Sequence, residues 1–300
     1  MSMRVATFAL SGSLMNHALT TQAKLAEKQT QEASGLVSSD YGGLGTDAGK
    51  LVDLEVSLSR AQAYADAATQ ATERVEVMYS ATGSIIDALT DARTTLSSAS
   101  VDTEDLVAVQ ETAASLLEEV VSLLNTQYEG RYLFAGTDTL EAPVDLSGYT
   151  AVDADTADTG YYAGDSTIIS VKVDADRTVS YGVTADNEAF EKTIRVLSLI
   201  ADSDSDTLTD DDLETLSNLL VEAQDEVIAV QSGLSLAAAT LENAAAEQED
   251  FVSIAETSID DLRSADLAEV AVAVAQYETQ LEASYAAVGK LSSVSLLDYL

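Results

Sequence analysis

From Leu51 onward, apolar and small residues recur every seven positions in two columns offset by three. One column holds Leu51, Leu58, Ala65, Thr72, Tyr79 and Ile86; the other holds Leu54, Ala61, Ala68, Val75, Thr82, Leu89 and Leu96. An a/d seam of this length predicts one coiled-coil-like helix and excludes a short globular one. At 1.5 Å per residue, roughly fifty residues give about 75 Å of helix. Pro143 is the only proline of the 300 residues, so nothing in this stretch interrupts the backbone hydrogen bonds.

The pattern recurs along the chain. Leu106, Gln110, Ala113, Leu117, Val120, Leu124 and Tyr128 predict a second helix after the acidic break Asp102–Asp105. Further on, Leu213, Leu220, Val227, Leu234, Leu241, Gln248 and Ala255 form an a column. Leu216, Ala223, Val230, Ala237, Ala244 and Phe251 form its d column, whose small members let helices approach closely. Thr209 before Asp210, Asp211 and Asp212 reads as an N-cap with acids where the helix dipole favours them. Neither seam buries its stripe alone, so the two are expected to pack on each other.

Both ends carry shorter stripes. Leu14, Ala18, Thr21 and Leu25 line one face of the first arm, with Val5 and Phe8 ahead of it. In the last arm Leu267, Val274, Leu281 and Val288 fill one column; Val270, Tyr277, Ser284 and Leu291 fill the other. That frame is out of step with the preceding helix, the join being marked by Asp260, Asp261 and Asp266, so two helices are expected. Tyr41-Gly42-Gly43-Leu44-Gly45 makes the corresponding break near the N-terminus.

Between the halves the period falls to two. Thr167–Val173, a turn at Asp174-Ala175-Asp176, and Thr178–Val183 predict a β-hairpin, to which Leu133–Ala135 and Tyr161-Tyr162 add further β segments. The expected fold is mainly α: an elongated antiparallel helical bundle or coiled-coil rod with paired N- and C-terminal helices and a small β-rich inserted domain. Its segments are an N-terminal arm (1–40), an outgoing rod (46–130), the β insertion (131–187), a returning rod (188–259) and a C-terminal arm (260–300).

Charge narrows the function. The chain has 14 basic and 52 acidic side chains, a net −38. By segment the net is −1 for residues 1–60, −10 for 61–130, −8 for 131–190, −15 for 191–260 and −4 for 261–300. A nucleic-acid or anionic-membrane partner needs a basic face, and none is present. No apolar run is long enough to span a bilayer. Met1-Ser2-Met3-Arg4 leads into no long apolar segment, so no cleaved secretory signal is expected. Cysteine is absent, which removes disulfides, thiolate metal sites and thiol nucleophiles.

The remaining chemical motifs are weak. His17 is the only histidine and sits on an amphipathic stripe, where packing or surface exposure is the ordinary role. Asp202-Ser203-Asp204-Ser205-Asp206 starts like a calcium loop, but its sixth position is Thr207 rather than Gly and its twelfth is Leu213 rather than Glu. Asp153 and Asp155 are a close pair of a kind that 52 acids produce by chance. No catalytic residue, metal or cofactor is expected, and the chain reads as a non-enzymatic structural protein.

Gly130-Arg131-Tyr132-Leu133-Phe134-Ala135-Gly136-Thr137 reads locally as a helix end, with Gly130 as C-cap, leading into a strand. It also closely resembles the signature of the flagellar hook-associated protein 3 family, hook–filament junction proteins related to the flagellins. Arg4–Thr7, the turn Ser34–Val37, Tyr162–Asp165 and the ending Leu291–Leu300 fit the same family. Residues Gly130, Arg131, Tyr132, Phe134 and Gly136 carry the signature; the terminal arms are common to all flagellins. The connector Ser38–Ala48 departs from the family in being richer in glycine.

The resemblance implies a structural subunit of the flagellum joining another hook-associated protein to the flagellin filament, with flagellin itself as the alternative. It implies export through the flagellar channel, an export chaperone on the C-terminal arm, and copies of the chain in a ring. Lone helices lose more entropy than they recover, so the arms are expected to be disordered in the free chain and to pair when subunits stack. The expected assembly interface is Val5, Phe8, Leu14, Ala18 and Leu25 with Leu267, Val270, Val274, Tyr277, Leu281, Val288 and Leu291.

Overall fold

The structure is a computed structural model describing residues 2–98, 103–203 and 209–293. Six α-helices and two small antiparallel hairpins follow one another: α1 (Ser2–Ser34), α2 (Ala48–Ser98), α3 (Thr103–Leu124), β1 (Gln127–Tyr128), β2 (Arg131–Tyr132), β3 (Ser170–Lys172), β4 (Thr178–Ser180), α4 (Glu188–Ala201), α5 (Asp210–Arg263) and α6 (Leu267–Ser293). The chain divides into two compact units, residues 1–59 with 252–300, and residues 60–251.

In the larger unit α2 and α5 run antiparallel. Gln224 accepts from Arg93 at 3.1 Å and donates to the Thr90 hydroxyl at 2.8 Å, while Gln231, seven residues on, lies at the Tyr79 carbonyl. The α5 a column stays inward: Leu220, Val227, Leu234 and Leu241 are buried, although Phe251 of the d column is exposed. On α2 the expected seam drifts. The column through Ala68, Val75, Thr82, Leu89 and Leu96 is buried throughout; its expected partner column is buried as far as Ala65 and Thr72, but beyond that Met78, Ile85 and Ala92 take the inward place, with Tyr79 exposed and Ile86 half-buried. A straight α-helix turns by 3.6 residues, so a seven-residue column slides about 20° per heptad unless the helix supercoils.

The start of α5 is as its sequence predicts. Thr209 and Asp212 form a reciprocal capping box, Asp212 N donating to the Thr209 hydroxyl oxygen at 3.2 Å and Thr209 N to Asp212 Oδ2 at 2.9 Å. The Thr209 hydroxyl hydrogen bond holds the Asp212 carboxyl below its ordinary range.

Three expectations are corrected. The helix of residues 106–128 stops at Leu124, and Tyr128 lies in β1 with its hydroxyl on Glu73 at 2.7 Å. Gly130 is not a helix cap: it follows Glu129 in the two-residue turn between β1 and β2, both with positive φ (51° and 73°), the pair a type I′ hairpin demands. Leu133–Ala135 form no strand; they are buried as the chain bends away from the hairpin. The second hairpin is paired only over Ser170–Lys172 and Thr178–Ser180, with Val171 opposite Val179.

Helix α4 packs against α3 and buries ten of its 14 residues. It begins at Asn187, whose side chain accepts from Ala189 N at 3.1 Å. Inside it, Arg195 makes a two-pronged ion pair with Glu191, at 2.9 Å and 3.1 Å, although the side chains are only 4% and 2% exposed. The pair is satisfied from outside as well: Asp158 N donates to Glu191 at 3.0 Å, and Arg195 donates to the Ala154 carbonyl. One buried ion pair thus fastens the loop before Tyr161 to the core.

Candidate functional site

The arms come together in the smaller unit. Gly35, at φ +71°, ends α1 by turning back so that its N–H reaches the Gln31 carbonyl at 2.8 Å. Two backbone hydrogen bonds then clamp the arm bases, Val37 N to Arg263 O and Ala265 N to Gly35 O, both at 2.8 Å. Gln31 lies against this clamp, its amide donating to Val37 O at 2.8 Å. Asp266 restarts the chain as α6, its carboxylate accepting from Ala268 N at 2.9 Å and Glu269 N at 3.1 Å. From the clamp, α1 packs along α6 within a single chain, so this pairing does not wait for stacking.

Of the residues expected at the interface, Ala18 and Val270 are buried, and Leu14, Leu25, Val274, Tyr277, Leu281 and Val288 are half-buried. Leu267 is exposed, and the side chains of Val5, Phe8 and Leu291 lie outside the described residues. Five large apolar side chains absent from that expectation are also exposed: Leu10, Met15, Leu19 (56%), Val272 (69%) and Tyr285. Their signal in the sequence was apolar residues on a second face of each arm. A two-helix pair buries one stripe per helix and leaves the second in water.

Below the clamp, Asp40 caps a short 3₁₀ helix over Tyr41–Asp47 by accepting from Gly43 N at 2.9 Å. Tyr41 donates to Glu55 at 2.6 Å, and Arg263 lies 3.5 Å from the same carboxylate. The glycine-rich connector is therefore an ordered turn. A Cβ on Gly43 would lie 2.1 Å from the Ser38 hydroxyl.

In the larger unit the signature residues are structural. Phe134 is fully buried and meets Phe190 edge-on, ring centres 5.7 Å apart; its carbonyl accepts from Ala185 N at 2.9 Å. Gly136, at φ +67°, passes so close to Asp165 that a Cβ would lie 2.0 Å from that residue's carbonyl oxygen. Asp165 in turn gathers the Thr137 hydroxyl and N–H and, at 2.7 Å, Thr167 N. The Thr137 hydroxyl hydrogen bond, followed by those from Thr167, brings its carboxyl down to about 2. Tyr132 is half-buried, and Arg131 is exposed with its guanidinium on the Thr139 hydroxyl at 3.0 Å.

The weak chemical motifs gain no support. His17 is exposed on α1. Asp153 accepts from Asp155 N and Thr156 N, at 3.0 Å and 2.7 Å, which makes the pair a turn. The calcium-like run lies in part outside the described residues, and among the described residues no group of three or more acids or histidines is placed to hold a metal. Among them also, no helix is long and apolar enough to cross a membrane.

Residues 5–139 match the model of the bacterial flagellin N-terminal helical region. No curated protein matches the chain. Among solved structures, a protein from Vibrio parahaemolyticus assigned as a flagellar hook-associated protein is similar, with 16% identity and a TM-score of 0.59 over 75% of this chain and 99% of that one. FlgL of Bacillus cereus matches with 19% identity and a TM-score of 0.48, over 72% of this chain and 99% of its own. Flagellar hook associated protein-3 of Legionella pneumophila matches with 14% identity and a TM-score of 0.45, over 71% and 97%. At such identities the likeness is one of fold, and the first of the three carries it.

Proposed function

We propose that this chain, with a flagellin N-terminal helical region over residues 5–139, is a structural subunit of the bacterial flagellum, the junction adaptor between another hook-associated protein and the flagellin filament. The observation that carries this reading is the arm pair: α1 and α6 lie together, yet Leu10, Met15, Leu19, Val272 and Tyr285 remain in water on it. Apolar surface left on a two-helix pair is stabilised by burial against further pairs. When the same surfaces meet head-to-tail, the contact repeats as a helical tube. The arms therefore gain most of their burial on assembly, beyond the pairing already made within one chain.

Junction protein is favoured over flagellin by the Gly130–Gly136 resemblance and by the fold shared with a hook-associated protein. The partners are copies of the chain in a ring, a hook-associated protein on one side, flagellin on the other and an export chaperone for the C-terminal arm. The site of action is outside the cell, reached through the flagellar channel without cleavage of a leader. No chemistry is assigned, and the acidic surface faces water.

An in-frame deletion tests the role. Cells without this chain are expected to build hooks and shed flagellin into the medium; filaments of normal length in that strain would refute the reading. If the chain is instead the main band of purified filaments, it is flagellin. Removing residues 1–40 or 260–300 is expected to abolish incorporation onto hooks while residues 60–251 keep their fold.

A further inference from the structure

The larger unit carries a feature that the arms leave unused. Arg74 on α2 and Arg131 at the start of β2 line one small cleft of about 20 Å³, walled by Met78, Leu133, Ile168 and Ile169. These are two of only 14 basic side chains in a chain with 52 acids. Among the described residues neither arginine is in an ion pair; Arg131 donates only to the neutral Thr139 hydroxyl. Ile168 stands 45% exposed at the same cleft. Two guanidiniums beside apolar walls suit a carboxylate carried next to an aliphatic side chain.

Several helices carry such pairs, Val221-Glu222 among them, but outside the helices the described residues present two on loops that can project into a neighbour. Leu140-Glu141 directly follows Thr139, which itself lines the cleft. Two copies using it would meet through the same face and close as a symmetric pair. Val152-Asp153 is different. Val152 is 71% exposed, and its loop is fastened to α4 through Arg195 and Glu191. No residue of 145–160 lines the cleft, so cleft and loop are separate surfaces. A contact between separate surfaces leaves one of each free and repeats.

We propose that the Val152-Asp153 loop of one copy docks over the mouth of the Arg74/Arg131 cleft of the next, a lateral contact between neighbouring subunits. Asp153 meets the guanidiniums and Val152 covers Ile168. This inference rests on the chain assembling as copies in a ring. It adds a contact in residues 60–251 to those of the arms, and effective concentration on the ring strengthens a joint too weak to hold free chains together.

The chain has no cysteine, so introduced thiols report without background. The full-length double variant Val152→Cys, Ile168→Cys, concentrated and oxidised, is expected to give a ladder of dimers, trimers and higher species, whereas either single variant stops at dimers. In that background Arg74→Gln with Arg131→Gln is expected to cut the ladder at least tenfold, with an unchanged melting curve as the check on folding. Charge reversal, Arg74→Glu with Arg131→Glu, is expected to abolish it, and Asp153→Arg to restore it. No ladder, a ladder indifferent to the arginines, or an equal ladder from Leu140→Cys with Ile168→Cys would each overturn the proposal. If the arginine variants lose the ladder but still support filaments in cells, the docking is dispensable and this inference falls alone. A deletion strain with normal filaments removes the flagellar role and leaves the cross-linking result standing.

Discussion

Residues 60–251 carry eight basic and 38 acidic side chains, a net −30 over 192 residues, around a continuous core in which Phe134, Phe190, Ile85 and Leu220 are fully buried. Residues 1–59 with 252–300 carry six basic and 14 acidic, a net −8 over 108 residues, and among the described residues their arms bury little more than Ala18, Gln31 and Val270. The first unit has a finished interior and a repelling exterior. The second has low charge and unfinished burial. A surface dense in one sign keeps chains apart, whereas sparse charge beside exposed Leu and Val favours association. The contrast separates a part whose interior is filled within the chain from a part that, under the proposed function, completes its burial in company.

The sharpest test of the larger unit is its buried ion pair. Glu191→Ala leaves the Arg195 guanidinium unpaired in a site where both side chains are under 5% exposed, and a loss of about 3–5 kcal/mol in denaturant unfolding is expected. Gly136→Ala comes next. A Cβ there meets the Asp165 carbonyl at 2.0 Å in a left-handed conformation, with an expected loss of about 1–3 kcal/mol.

Salt and acid sharpen the comparison further. Raising NaCl is expected to increase hydrogen-exchange protection in residues 60–251 more than in the arms, since screening acts where the charge is dense. Asp165 has its folded pKa depressed to about 2, against about 3.9 when unfolded. Its contribution is therefore present above about pH 4 and fades as pH falls toward 2. The stability gap between the native chain and Asp165→Asn should narrow over that window, read as unfolding midpoints at several pH values. The smallest effect on the free chain belongs to the arms. Leu19→Ser is expected to change its stability by no more than about 0.5 kcal/mol, yet to reduce its incorporation onto hooks. A large loss of stability in the free chain would mean that the arm was already packed.

Periodicity was legible where one face of a helix meets one partner. The α5 column through Leu220, Val227, Leu234 and Leu241 needed only spacing, and the cap at Thr209 only residue type. The α2 column failed beyond Thr72 because a straight helix slides off a seven-residue repeat. The turn at Glu129-Gly130 is not legible in the sequence, because a glycine after a helical run suits a C-cap and a type I′ hairpin equally. On the arms, the exposed residues Leu10, Met15 and Leu19 lie off the single stripe that periodicity picks out.

Residue order alone determined that the chain is long-helical with a β insertion, because hydrophobic period and the near absence of proline act locally. It also set where charge concentrates. The tertiary structure decided which apolar residues are buried, which glycine passes a backbone oxygen, and that two of the few arginines line one cleft. Those facts depend on side chains distant in sequence arriving at the same place, and no local spacing records the geometry of that meeting.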